Sequence, residues 1–168
     1  MDMFAKERLA AEPLPPGIER ITRVIESKKI YDVNGLMPYL VNQLGSGFTL
    51  TNNSGGAHGG KRAILFGKDG DPVVGVSENS ETLELVVPEN SKEGLVNYEL
   101  RFDPPNQSYQ LEKKPSSCVR CHGEKFTYIW TSYSTWPRFI GAHDDKLLPS
   151  EEPKLKEFRS HPRFKRLF

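Results

Sequence analysis

Cys118-Val119-Arg120-Cys121-His122-Gly123 is the one stretch whose residue types and spacing spell out a chemistry. It reads Cys-x-x-Cys-His, the attachment signature of a c-type haem. Each thiol can add across one porphyrin vinyl group to form a thioether. Two intervening residues put the sulfurs on one turn, at the separation of the two vinyls. His122 then follows at once and can present its imidazole to the iron as proximal ligand. The chain has two cysteines, and both are in this motif.

Three other chemistries compete for the same residues. A thioredoxin-like redox pair is also Cys-x-x-Cys, but it wants a strand, loop and helix within a βαβ unit. Here the motif follows what reads as an antiparallel hairpin. A zinc site needs four ligands, and no second cysteine pair exists. Cys118, Cys121, His122 and one distant histidine would make a poorly spaced set. Two buried, inert thiols are the plainest alternative.

The distal side of such an iron is less defined. Met1, Met3 and Met37 all precede the motif, whereas small cytochromes often use a methionine after it. His143, in Gly141-Ala142-His143-Asp144-Asp145, and His58, in a glycine loop, are the candidate distal ligands. A vacant or water-bound position is the third option. Trp130, Tyr133 and Trp136 follow the motif closely and are expected to wall the porphyrin, whose flat apolar faces aromatics cover well. Ordinary core filling would use them equally. Arg120 and Arg138 are candidates to pair with propionates, or else face solvent.

Gly55-Gly56-Ala57-His58-Gly59-Gly60-Lys61 fits the outline of a phosphate loop. Such a loop needs Ser or Thr next and a helix after it. Position 62 is Arg, and Ala63-Ile64-Leu65-Phe66 is strand-like. The stretch therefore reads as a connection between strands. No hydrolase constellation is present, and no catalytic residue is assigned.

The elements that must position the motif follow from periodicity. Glu12 to Gly17 is a stiff, proline-rich lead-in. Ile18 to Lys29 reads as an amphipathic helix with Ile18, Ile21 and Ile25 on one face. Asn34 to Gln43 reads as a second, with Asn34 as N-cap, Pro38 in the first turn and Gly45 as the stop. The period then becomes two. Strands are expected at Phe48–Thr51, Arg62–Phe66, Pro72–Ser77, Thr82–Val87, Leu95–Asp103 and Tyr109–Lys113. The fifth alternates most cleanly, with Val96, Tyr98, Leu100 and Phe102 on one face. A closing helix begins near Ser150, with Leu155 and Phe158 inward.

The 168 residues suffice for one ordinary domain. The formal net charge of +1 carries no clustered basic excess, so no nucleic-acid partner is expected. No apolar run approaches the roughly 18 residues of a membrane span. Met1 to Leu9 has no apolar core, so it is not a secretory signal. Covalent haem attachment normally happens outside the cytoplasm, so a leader is expected to precede Met1.

Cys118 to His122 with Gly123, then Trp130-x-x-Tyr133-x-x-Trp136-Pro137, Gly141-x-x-Asp144-Asp145 and His161-Pro162-Arg163-Phe164, resembles a poorly characterised group of bacterial single-haem cytochrome c domain-containing proteins. The resemblance covers about residues 95–168. Members often carry Gly after the Trp-Pro, where this chain has Arg138. It implies covalent haem c, an extracytoplasmic (periplasmic) location and electron transfer, with no defined substrate.

The expectation is thus an α+β fold: N-terminal helices, an antiparallel β-meander and a C-terminal haem-attachment segment with a closing helix. Residues 1–17 form the lead-in and 18–168 a single domain, β-rich over about 46–114 and haem-bearing over about 115–168. The expected activity is one-electron transfer to an unknown redox partner. The alternatives are a haem-based sensor or small-gas binder, and a non-haem protein whose motif binds zinc or nothing.

Overall fold

Alternating apolar residues over six short segments build one antiparallel sheet, and the described helices are arranged against it. The computed structural model describes residues 14–44, 47–51, 60–67, 71–88, 94–124, 140–141 and 146–168. The strands are β1 (Gly47–Thr51), β2 (Arg62–Phe66), β3 (Val73–Ser77), β4 (Thr82–Pro88), β5 (Leu95–Asp103) and β6 (Ser108–Lys113). They lie side by side in sequence order, each antiparallel to the next.

The register puts Leu50, Ala63, Val76, Leu83 and Leu100 in one cross-strand row. Leu65, Val74, Leu85 and Tyr98 form the next row on the same side. All nine are buried and belong to one core. Fully burying a side chain such as Leu83, Leu85 or Leu100 favours folding by roughly 1.5–3 kcal/mol.

Three helices cover this first face. In α1 (Pro16–Lys28), Ile18, Ile21 and Ile25 point into the core at helical spacing. The helix stops at Lys29, whose φ of 53° is left-handed. In α2 (Val33–Leu44), Val33, Leu36, Met37, Leu40 and Leu44 are buried. In α4 (Glu152–Ser160), Phe158 is fully buried and stacks at 5.1 Å on Phe164 of the tail.

The expected α+β arrangement is corrected by this picture. N-terminal helices, meander and haem segment were to follow one another as parts of a haem c fold, and the described residues do not show such a fold. The molecule is mainly one six-stranded antiparallel sheet with few, short helices. The physical reason is burial. Helices of 13 and 12 residues cannot cover six apolar strands, so α4 and the tail from the far end of the chain complete the same layer.

Element ends differ in instructive ways. Pro16 and Gly17 belong to α1 and not to the lead-in, because proline without an N–H is tolerated at the first helical position. Asp32, not Asn34, caps α2: its Oδ1 accepts the Gly35 N–H at 2.7 Å. Pro38 consequently falls in the second turn. Ser150 is not a cap; Glu151 precedes α4, and its carboxylate accepts the Leu148 N–H at 2.9 Å and the Gly141 N–H at 3.3 Å. No helix among the described residues is long and apolar enough to cross a membrane.

Candidate functional site

The motif forms a helix of its own, α3 (Ser116–His122), tied to the sheet at its start. Lys114 donates its N–H to Asn97 O at 2.9 Å on β5 and adopts a left-handed φ of 51°, which turns the chain away from β6. Pro115 then opens α3, its carbonyl accepting the Cys118 and Val119 N–H groups at 3.0 Å. Gly123 closes it with φ 80°, its N–H donated to Val119 O at 2.9 Å. One short helix therefore holds Cys118 and Cys121 at i and i+3, with His122 at i+4. That spacing places all three on neighbouring positions of one side.

Cys118 is half-buried, and its Sγ lies 4.0 Å from Ser117 Oγ. Burial pushes its thiol pKa up, and the carboxylates of Glu84 and Glu99 add to that rise. The Asn97 amide and the Ser117 hydroxyl oppose it. These partners locate α3 against the second face of the sheet, since Asn97 and Glu99 alternate with the core residues Val96, Tyr98 and Leu100. A redox pair needs a thiolate stabilised at neutral pH. Cys118 has the reverse environment, which argues against the thioredoxin-like alternative.

The second face is polar and largely closed. Asn97 and Glu99 are each 6% exposed. Arg62 reaches from β2 across Gly75 of β3 to pair with Glu84 of β4. A Cβ at position 75 would come within 2.0 Å of the Arg62 Nη2, so glycine leaves the room for that crossing. Glu99 pairs with Arg101 at 2.9 Å. Asn97 Nδ2 is buried and makes no hydrogen bond of good geometry among the described residues, although its amide is near enough to influence the Cys118 thiol.

The other expected site residues divide into three groups. Trp130, Tyr133, Trp136, Arg138, His143 and His58, like the Cys121 side chain, lie outside the described residues. His122 is half-buried and Arg120 is exposed on α3. Met37 is 1% exposed within the first-face core, where its thioether packs. Among the described residues no group of three His, Cys, Asp or Glu side chains is placed to hold a metal. Lys61, the lysine of the phosphate-loop outline, donates to Glu157 at 3.1 Å and also pairs with Glu78 at 3.5 Å, and β2 follows it. The Glu157 hydrogen bond chiefly raises its pKa above the ordinary value.

A cluster that the sequence did not announce surrounds Arg163. This side chain is 5% exposed. Its Nε donates to Asn34 Oδ1 at 2.8 Å, Nη1 to Ser77 O at 2.8 Å and to Ser80 O, and Nη2 to Glu81 Oε1 at 2.6 Å. Glu81 Oε2 in turn accepts the Val33 N–H at 2.8 Å. The tail, the start of α2 and the β3–β4 turn are thereby locked together. In sequence Arg163 belongs to a short basic run, and only its neighbour Phe164 hints at burial.

Comparison with protein-family models, with curated proteins and with solved structures finds no match.

Proposed function

We propose that this chain attaches one haem c through Cys118 and Cys121, takes His122 as its proximal iron ligand, and passes single electrons to a redox partner outside the cytoplasm. The observation that supports the reading is α3: a short helix, anchored on the sheet and closed by glycine, whose backbone carries positions 118 and 121 three residues apart with His122 next. Two cysteines and a histidine are the residue types that covalent haem c attachment uses. When bound, haem supplies a one-electron couple between ferric and ferrous iron.

The test is expression with an export leader and haem-maturation machinery, followed by a denaturing gel stained for haem. Colour should travel with the polypeptide. It should weaken in Cys118→Ala and Cys121→Ala, and His122→Ala should change the absorption spectrum. A colourless wild-type band would end the haem reading.

The placement of Met37 in the core favours a second reading. With that thioether packed in the core, an open sixth position would suit a haem-based sensor or small-gas binder, and a histidine there would suit electron transfer. Rapid carbon monoxide uptake by the reduced protein supports the sensor; an unresponsive six-coordinate spectrum supports electron transfer.

A further inference from the structure

α4 gives way to the tail at His161, and the half-buried imidazole there is part of the joint. The backbone N–H of His161 ends the helix on Glu157 O and Phe158 O, at 3.0 and 3.2 Å. Its carbonyl accepts the Phe164 and Lys165 N–H groups at 3.1 and 2.9 Å. The ring stacks at 5.0 Å on the buried Phe164, which packs in turn on Phe158. Its Nδ1 accepts the Arg163 N–H at 3.2 Å. An imidazole nitrogen that accepts carries no proton, so this bond selects the neutral ring with its proton on Nε2. The contact sits at the root of the Arg163 knot, because the residue that donates to Nδ1 is the one whose guanidinium holds Asn34, Ser77, Ser80 and Glu81. Burial holds the His161 pKa below the ordinary histidine value. Glu78, just past β3, works against that, while Arg163 and Lys61, at the entry to β2, reinforce it. Glu78 is shared with Lys61 at 3.5 Å, and Glu157 of α4 is held by the same lysine at 3.1 Å, so the acidic groups on this side are already engaged. A proton added at Nδ1 removes the acceptor of the Arg163 N–H and sets a third cation beside Lys61 and Arg163. Both conflicts disappear once the ring swings into water.

We propose that the tail is a pH-sensitive latch: protonation of His161 in mild acid opens the joint between α4 and the tail and lifts Phe164 and Arg163 from their seats while the sheet stays folded. This device is independent of the haem reading. A joint that holds His161 below its free value is fully closed above the ordinary histidine pKa and weakens as pH falls through that value toward the folded one. Loss of one hydrogen bond of average net strength makes opening about fivefold more frequent.

Hydrogen exchange of the full chain at pH 7 and pH 5, corrected for the intrinsic rate of each amide, reads the opening. The amides of Phe164, Lys165 and Leu167 are all hydrogen-bonded within the tail. They should exchange about fivefold faster at pH 5 than at pH 7, and faster than the amides of β4 at both. His161→Asn keeps an acceptor at the Nδ1 position and cannot take up a proton, so it should abolish the acceleration. Glu78→Gln removes the carboxylate that favours the imidazolium and should enlarge the acceleration. If H161N loosens the tail at both pH values, E78Q decides. Tail amides indifferent to pH would overturn the proposal, as would an acceleration kept in full by a well-closed H161N or one not enlarged in E78Q. Tail and β4 amides that exchange together as one unit would overturn it too, since the tail would then open only with the whole chain.

Discussion

Arg163→Ala is a substitution far from the motif whose effect can be worked out from the structure. It removes four hydrogen bonds from one nearly buried guanidinium. Each contributes about 1 kcal/mol net, and the bond to a carboxylate somewhat more. Asn34 is exposed and the Glu81 side chain is 36% exposed, so water recovers part of what those two lose. Ser77 is 4% exposed, and its carbonyl is left with the fuller penalty. The expected loss is therefore about 3 kcal/mol. In a domain of this size each kcal/mol corresponds to about 2–4 °C, which places the fall in melting temperature near 6–12 °C. Circular dichroism melts of wild type and variant measure it. Arg163→Lys should recover less than half, because an ammonium cannot reach acceptors on three elements at once. A fall under about 2 °C would falsify the view that this knot holds the tail, α2 and the β3–β4 turn together.

Two pH effects follow from the environments of single groups. In the haem-free chain with Cys121→Ser, Cys118 should alkylate slowly at neutral pH and gain speed only above the usual thiol range. Asn97→Leu should delay that gain further, because the amide lowers the thiol pKa. Its folded pKa lies above the unfolded one, so haem-free stability is full below the usual thiol range and falls as pH rises through it. A thiol that alkylates fast at pH 7 would contradict the buried, carboxylate-flanked setting. His161 behaves oppositely. Burial lowers its pKa, Arg163 and Lys61 add to this, and Glu78 opposes them. Its stability contribution is present above the ordinary histidine value and is lost as pH falls through that value toward the folded one. Urea melts from pH 7 down to pH 5 should show a decline that His161→Ala flattens; equal slopes in both proteins would refute it.

Alternation made the strands legible. Val96, Tyr98, Leu100 and Phe102 could be assigned to one face because every second residue of β5 is apolar. What lies over the opposite face was not legible, because Asn97, Glu99 and Arg101 look like a solvated side. Alternation says which way a side chain points and nothing about what settles on it. The caps failed for a related reason. Asn34 has the right chemistry for an N-cap, but it is held by Arg163, 129 residues away. Asp32 takes the cap instead. The fold class was misjudged because the helices were read in series, whereas burial gathers α1, α2 and α4 into a single layer. The spacing within α3 was legible outright, since two thiols and a histidine in five residues need no tertiary information.

The strand order has a consequence for when the molecule can close. Each strand of the meander pairs only with its neighbours in sequence, so the ladder can zip up locally and early, at little loop-closure cost. The first face cannot be sealed at that stage, because Phe158, Arg163 and Phe164 come from the last residues of the chain. As the polypeptide emerges from the ribosome or an export channel, α3 therefore appears on a half-covered sheet, 36 residues ahead of the Phe158 that completes the layer. Docking of the tail is then the latch that seals the first face.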